Sequence, residues 1–214
     1  MAVWQWLLAA MTNGLEFFFQ FTQSYGLAIV LLTIAIRLVL VPFTLSQTQM
    51  SVKMQAIQPE LEEIKRRYKD NPEKMQRAQL DLWRKHNINP LAGCLPLLLQ
   101  MPFLIAFFRV LYSFDFPPGT ESFLWIPDLA KPDPFYILAI LAAATTYWQT
   151  KISSVSTEGP QKSMLYVFPI MIAWFSATYA SGLSLYWVIS NIFSIVQQYL
   201  TPRPGPRTAK GESS

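Results

Sequence analysis

One arginine, Arg37, stands in an otherwise apolar run, LTIAIRLVLVPF, at residues 32–43. Its guanidinium stays protonated at any biological pH. If the whole apolar block around it, about 26–46, is a helix rising ~1.5 Å per residue, Arg37 lies about eleven residues, or about 16 Å, from the start of that block. In a bilayer that is close to the midplane. The cost there ranges from ~3 kcal/mol on insertion scales to ~10–17 kcal/mol for isolated helices. A carboxylate partner would lower it, but no Asp or Glu occurs in any long apolar block, and the nearest, Asp115, falls beyond the far end of the next one. Snorkelling covers only part of the distance. The remaining solution is water: Arg37 should face a hydrated cavity lined by neutral polar groups.

Candidate lining groups recur at helical spacing. Thr33, Arg37, Thr44 and Thr48 share one face. So do Trp187, Asn191, Ser194 and Gln198 in the last block. Gln100, Thr145, Thr146 and Gln149 complete the set. Each neutral group also has a plainer reading, as hydrogen-bonding glue between helices. Covalent and metal chemistry are poorly served. The chain has one cysteine, Cys94, and one histidine, His86. It has no nucleophile–base pair, no metal-ligand set and no phosphate-binding glycine loop, so the reading is non-enzymatic, with no cofactor and no metal.

The elements that must position these groups are apolar and long. Of 214 residues, 52% are apolar and only 14% charged, against about 25% charged in globular proteins. The charges concentrate in residues 51–90. This segregation predicts an all-α polytopic membrane protein with spans at about 26–46, 93–113, 135–151, 164–180 and 183–200. Pro42, Pro96, Pro102 and Pro169 fall inside spans, where membrane helices tolerate them. Residues 1–25 hold no Lys or Arg, 51–90 hold nine, 114–134 only Lys131, and 151–163 hold Lys151 and Lys162; 181–182 hold none and the tail three. The alternation predicts the N-terminus outside and the C-terminus inside.

Three further segments complete the layout. Residues 1–24 repeat apolar side chains at Trp4, Leu7, Leu8, Met11, Leu15 and Phe18, which predicts an interfacial helix; a poorly ordered or partly inserted leader is the alternative. The start lacks a basic n-region and a lipidation cysteine, so the mature chain is expected to begin near Met1. Residues 53–88 predict a cytoplasmic helical hairpin, with stripes Ile57, Leu61, Ile64, Tyr68 and Met75, Ala78, Leu82, a break at KDNP, and an end at Asn89–Pro90. Asp70 or Asn71 caps its second helix. Glu62/Arg66, Glu63/Arg67, Glu73/Arg77 and Asp81/Lys85 are acid-before-base pairs at favourable spacing. The hairpin's Lys65, Arg66, Arg67, Lys69, Arg77, Arg84 and Lys85 form a docking surface for anionic headgroups or partners, or a plain solvated face. Residues 201–214, Pro/Gly-rich, read as a disordered tail.

Several stretches resemble the YidC membrane protein insertases. They are NPLAGCLPLLLQMPFLIAFF (89–108), LWIPDL and PDPFYIL (124–138), SGLSLYWVISNIFSIVQQYL (181–200), the hairpin itself, and the Arg followed by Pro42. The likeness runs from about Tyr25 to Leu200. It implies five core helices around a hydrophilic groove, open to the cytoplasm and lipid and closed outside. It implies insertion and folding of nascent membrane proteins, alone or with the Sec translocon. It matches the family's intramembrane Arg to Arg37, the Thr one turn earlier to Thr33, the substrate-contacting aromatic to Trp187 and a polar groove position to Gln149; Cys94 falls in a small-residue packing step. Membrane lipids and the ribosome or signal-recognition machinery are implied partners, without sequence-specific nucleic-acid binding. Against the family pattern, a member without a large extracytoplasmic domain or a lipoprotein cysteine is expected, and three basic tail residues offer little for ribosome docking.

Transfer would need no nucleotide, because burying about 20 apolar residues supplies the drive. Two other functions compete. An anion or small-solute transporter would use Arg37 as its binding charge, but no internal repeat is visible. An intramembrane enzyme would need buried acid–base groups, whereas His86 falls outside the spans.

Overall fold

The computed structural model describes residues 2–88, 95–114, 117–153 and 160–200. Cys94, Asp115 and the tail lie outside these residues. The side chains of Thr48, Pro96 and Lys162 are likewise outside the description. The described residues form eight helices: α1 Ala2–Thr22, α2 Tyr25–Ala56, α3 Gln58–Arg67, α4 Pro72–Lys85, α5 Leu95–Ser113, α6 Ile137–Ser153, α7 Pro160–Thr178 and α8 Ser181–Leu200.

The bundle is organised around α8, which packs between α2 and α6 and also touches α5. α6 and α7 form a pair on one side, and α1 packs on α2 and α5 on the other. Met11, Leu15, Ala28, Ile29, Ala106, Phe107, Leu111, Leu183 and Tyr186 belong to one buried cluster. Outside it the helices stay apolar. Val39 is 77% exposed, Ile140 66%, Ile170 68% and Trp174 65%. In water such a belt would drive aggregation, whereas facing hydrocarbon it costs nothing. By length and composition α2 can cross a membrane, over Tyr25–Ser46; shorter apolar stretches run over Gln100–Tyr112 and Leu165–Thr178. Pro42, Pro102 and Pro169 sit inside helices, as expected.

α1 has three stripes rather than two. Trp4, Leu7, Leu8, Met11, Leu15 and Phe18 face the bundle. Gln5, Asn13, Glu16 and Gln20 make a polar exposed stripe, and Val3, Trp6, Phe17 and Phe21 an apolar exposed one. Gly14 admits α2 so closely that an added Cβ would lie 2.8 Å from Leu32 Cδ1.

The hairpin is α3 and α4, with its first arm approached directly by α2, which runs on to Ala56. Ile57, Leu61, Leu82 and Ile88 close a small core with Met54, Ile64 and Trp83. Asn71 is the cap of α4, its Oδ1 accepting from the Lys74 N–H at 3.0 Å. α4 itself ends at Lys85, and Asn89–Pro90 lie outside the described residues. Asn87 takes φ 51°, its N–H donates to Arg84 O, and Ile88 N–H donates to Trp83 O at 2.8 Å. This is a Schellman stop, closed by apolar contact between Ile88 and Trp83. None of the four expected acid–base pairs comes within ion-pairing distance; among the described hairpin residues the pairs are Arg84–Asp81 at 3.9 Å and His86–Glu60 at 3.4 Å. Long exposed side chains gain too little from pairing to give up their freedom. Replacing Asn71 with alanine should lower hairpin stability by ~1 kcal/mol. Hydrogen exchange across 72–85 should then lose about five-fold of its protection, and unchanged protection would show that the cap contributes nothing.

Residues 117–136 cover one end of the bundle and cap two helices at once. Asp133, 1% exposed, accepts from the backbone N–H of Phe135 (3.1 Å) and Leu138 (2.8 Å) and from Trp125 Nε1 (3.3 Å). Its charge thus sits at the α6 N-terminus, where the helix dipole favours it. At α8, Ser181 N–H donates to Lys131 O (2.8 Å) and Gly182 N–H to Leu129 O (2.9 Å). Helix starts leave such donors unpaired unless something outside accepts from them. Phe123 and Ile126 bond each other's backbone in both directions at 2.8 Å. The Phe123 ring lies over Gly26 of α2.

Candidate functional site

Arg37 sits twelve residues into α2, about 18 Å from its start at ~1.5 Å per residue. Leu38 and Val39 beside it are exposed and apolar, while Arg37 itself is half-buried. Its Nη2 donates to Gln100 Oε1 of α5 at 3.0 Å. Gln100 Nε2 in turn donates to the Tyr186 hydroxyl of α8 at 2.5 Å. Three helices thus meet at one cation through neutral groups. Among the described residues no carboxylate lies within ion-pair distance of Arg37. A guanidinium has five N–H donors, and Gln100 accepts from one nitrogen. The rest of its hydrogen-bonding capacity exceeds what this neutral partner provides.

A second polar group ties α6 to α8. Trp187 Nε1 donates to Thr146 Oγ1 at 2.9 Å. With the Asn191 amide turned to satisfy all its neighbours, its nitrogen donates to Gln149 Oε1 at 2.8 Å and its carbonyl accepts from Thr146 Oγ1 at 2.9 Å. Trp187, Asn191, Thr145, Thr146 and Gln149 therefore form one connected set, and Asn191 and Thr146 are buried. Trp187 also lines a cavity of about 10 Å³ with Leu104, Ile172, Phe175, Ser176 and Ser184.

Beyond this set, three consecutive α8 residues reach both neighbours. Gln197 Nε2 donates to Thr44 Oγ1 of α2 at 2.6 Å. Gln198 donates to Ile152 O and accepts from Ser153 Oγ, both at 3.0 Å. Tyr199 accepts from Trp148 Nε1 at 3.2 Å.

The structure thus brings Arg37 and Gln100 together, and separately Gln149, Trp187 and Asn191. Thr33 stands apart from both. It is fully buried, and its hydroxyl donates to Ile29 O of its own helix at 2.6 Å. Ser194 likewise donates to Ser190 O, one turn back on α8. In the hairpin Arg66, Arg67, Lys69, Arg77, Arg84 and Lys85 are exposed and Lys65 is half-buried. Tyr186 was missed: next to Trp187 in LYW it reads as one more apolar residue. Its signal was spacing, because Tyr186 and Ser190 lie one turn apart on α8. Arg109 is an exposed cation four residues before the end of α5. Among the described residues no cluster of three or more His, Cys, Asp or Glu gathers as metal ligands.

Known proteins share both the sequence and the arrangement. The family described as 60Kd inner membrane protein matches residues 17–208. The membrane protein insertase YidC of Fusobacterium nucleatum is 41% identical over 186 residues, covering 87% of this chain and 90% of that one. The YidC of Caldanaerobacter subterraneus is 41% identical over 199 residues, covering 93% and 95%. The insertase MisCA of Bacillus subtilis is 41% identical over 189 residues, covering 85% and 72%. Among solved structures, an active YidC insertase with its first transmembrane domain resolved superposes with a TM-score of 0.76 at 27% identity. That match covers 91% of this chain and 46% of the other. All of these relatives are insertases by name, which leaves the solute-transporter reading without support. The chain belongs to the 60Kd inner membrane protein family, the family of the YidC insertases.

Proposed function

We propose that this chain is a membrane protein insertase whose working surface is a hydrated groove around Arg37. The observation that carries the groove reading is the setting of Arg37: deep in an apolar helix and, among the described residues, held by one neutral side chain and without a carboxylate. Such a cation is tolerable only with water beside it. Water in turn lets polar or acidic residues of a nascent segment enter the bilayer at low cost. The apolar part of the segment then leaves into lipid along α2 and α8, driven by its own burial.

In this reading α2, α5, α6, α7 and α8 are the five spans. The chain lies in the bacterial plasma membrane with its N-terminus outside, and residues 117–136 close the outer end. α1 lies in the outer interface with its three stripes serving the bundle, water and lipid in turn. The basic hairpin meets the client, and the Sec translocon, ribosome or signal-recognition machinery, on the cytoplasmic side.

Photocrosslinking during synthesis of a small single-span client tests the groove. Probes at Gln149 and Trp187, both half-buried, should capture the client. A probe at fully buried Thr33 should capture only its own chain. Absence of client adducts from both Gln149 and Trp187 would sink the assignment.

A further inference from the structure

Beside Arg37, Tyr186 is packed into the core of the bundle. It is 2% exposed, and its ring stacks on Phe107 with centroids 4.7 Å apart and planes 19° from parallel. Its hydroxyl therefore has a fixed place. That hydroxyl accepts from Gln100 Nε2, while the donors of Arg37 settle which way the Gln100 amide faces. The reverse orientation would aim NH₂ at the guanidinium, and a guanidinium only donates. With Gln100 so turned, its carbonyl faces Arg37 Nη2 at 3.0 Å.

We infer that Tyr186 is a positioning residue for Arg37. Through Gln100 it holds one side of the guanidinium toward α5, so that the remaining N–H donors point into the groove as a fixed fork. A fixed planar fork favours a planar two-oxygen acceptor over a single carbonyl oxygen. The geometry thus makes the Tyr186–Gln100–Arg37 chain a determinant of which client flanks are preferred, with carboxylate-bearing flanks gaining most. This rests on the insertase reading above and deepens it.

The test uses the full-length protein purified into proteoliposomes. Two single-span clients differ only in their translocated flank, one carrying two aspartates and one carrying two asparagines, and insertion is read by protease protection. Phenylalanine at 186 keeps the ring stack and removes only the oxygen. Tyr186→Phe should lower the ratio of acidic-flank to neutral-flank insertion about five-fold, the order expected when one hydrogen bond that orients a charge is lost. Gln100→Leu removes the same link from α5 and should lower the ratio equally, so the test does not hang on one variant's folding. The double variant should fall no further than either single one, because both act through one chain of bonds. A wild-type ratio in both single variants overturns the inference, as does a double-variant loss equal to the product of the two single losses. Arg37→Ala in the same vesicles separates two failures. If it inserts both clients fully, the groove charge itself is wrong and the positioning role falls with it. If it is impaired while both Tyr186→Phe and Gln100→Leu keep the wild-type ratio, only the positioning role falls.

Discussion

Arg37→Ala should lower insertion of an acidic-flank client about ten-fold, the order for losing one charge-assisted hydrogen bond. Arg37→Lys should retain the larger part of the activity. Lysine keeps the charge but replaces the planar fork by a point charge on a flexible stem, and it holds Gln100 less firmly. The same alanine variant also reports on water. In a dry site, deleting an unpaired cation would stabilise the fold by several kcal/mol. In a wet site, solvent already satisfies the guanidinium and would satisfy Gln100 Oε1 in its absence. The unfolding midpoint in detergent should therefore move by no more than ~2 °C. Protease protection of the client and a melting curve of the variant are the two measurements. Full insertion of several clients by Arg37→Ala would refute the charge role, and a large rise in midpoint would refute the hydration.

The second large effect lies at the covered end of the bundle. Gly26→Ala places a Cβ 2.0 Å from Phe123 Cγ and 2.5 Å from its Cβ. The ring cannot merely turn, since its own Cβ is in the way. Nor can the segment lift freely, because Phe123 is paired through its backbone to Ile126, which is 1% exposed. The variant should lose about 3 kcal/mol, at the upper end for overpacking. It should also expose 117–136 to protease. Adding Phe123→Ala should restore part of the loss by emptying the contested space. A Gly26→Ala protein that melts with the wild type would show that the cover does not press on α2 this closely.

Arg37 and Gln100 were legible because each breaks an apolar run, and a break in an apolar run has few explanations. Trp187, Asn191, Thr146 and Gln149 were legible as faces, though their bonding to one another was not. Thr33 is placed differently from its neighbours on that face. It shares the Arg37 face by spacing, but packing buries it and its hydroxyl is satisfied one turn back. Tyr186 was hidden because an aromatic residue in a membrane span usually needs no partner. The cover formed by 117–136 was hidden for a different reason. Its bonds run from helix starts to loop carbonyls and to Asp133, and no repeat in the sequence marks them. Orientation was read from Lys and Arg alone, so the acid residues of that loop were given no role. Asp133 is instead a cap, and Asp128 pairs with Lys131 at 3.0 Å.

That cover also makes the two ends of the bundle mechanically unequal. At one end α6 and α8 are fastened by main-chain and buried carboxylate bonds. At the other, α8 is held to α2 and α6 by Gln197, Gln198 and Tyr199, and the groups of an arriving segment can substitute for such side-chain bonds. For the groove proposed above, this inequality marks the end held by side-chain bonds as the one where a client would enter, and the covered end as the one that stays closed.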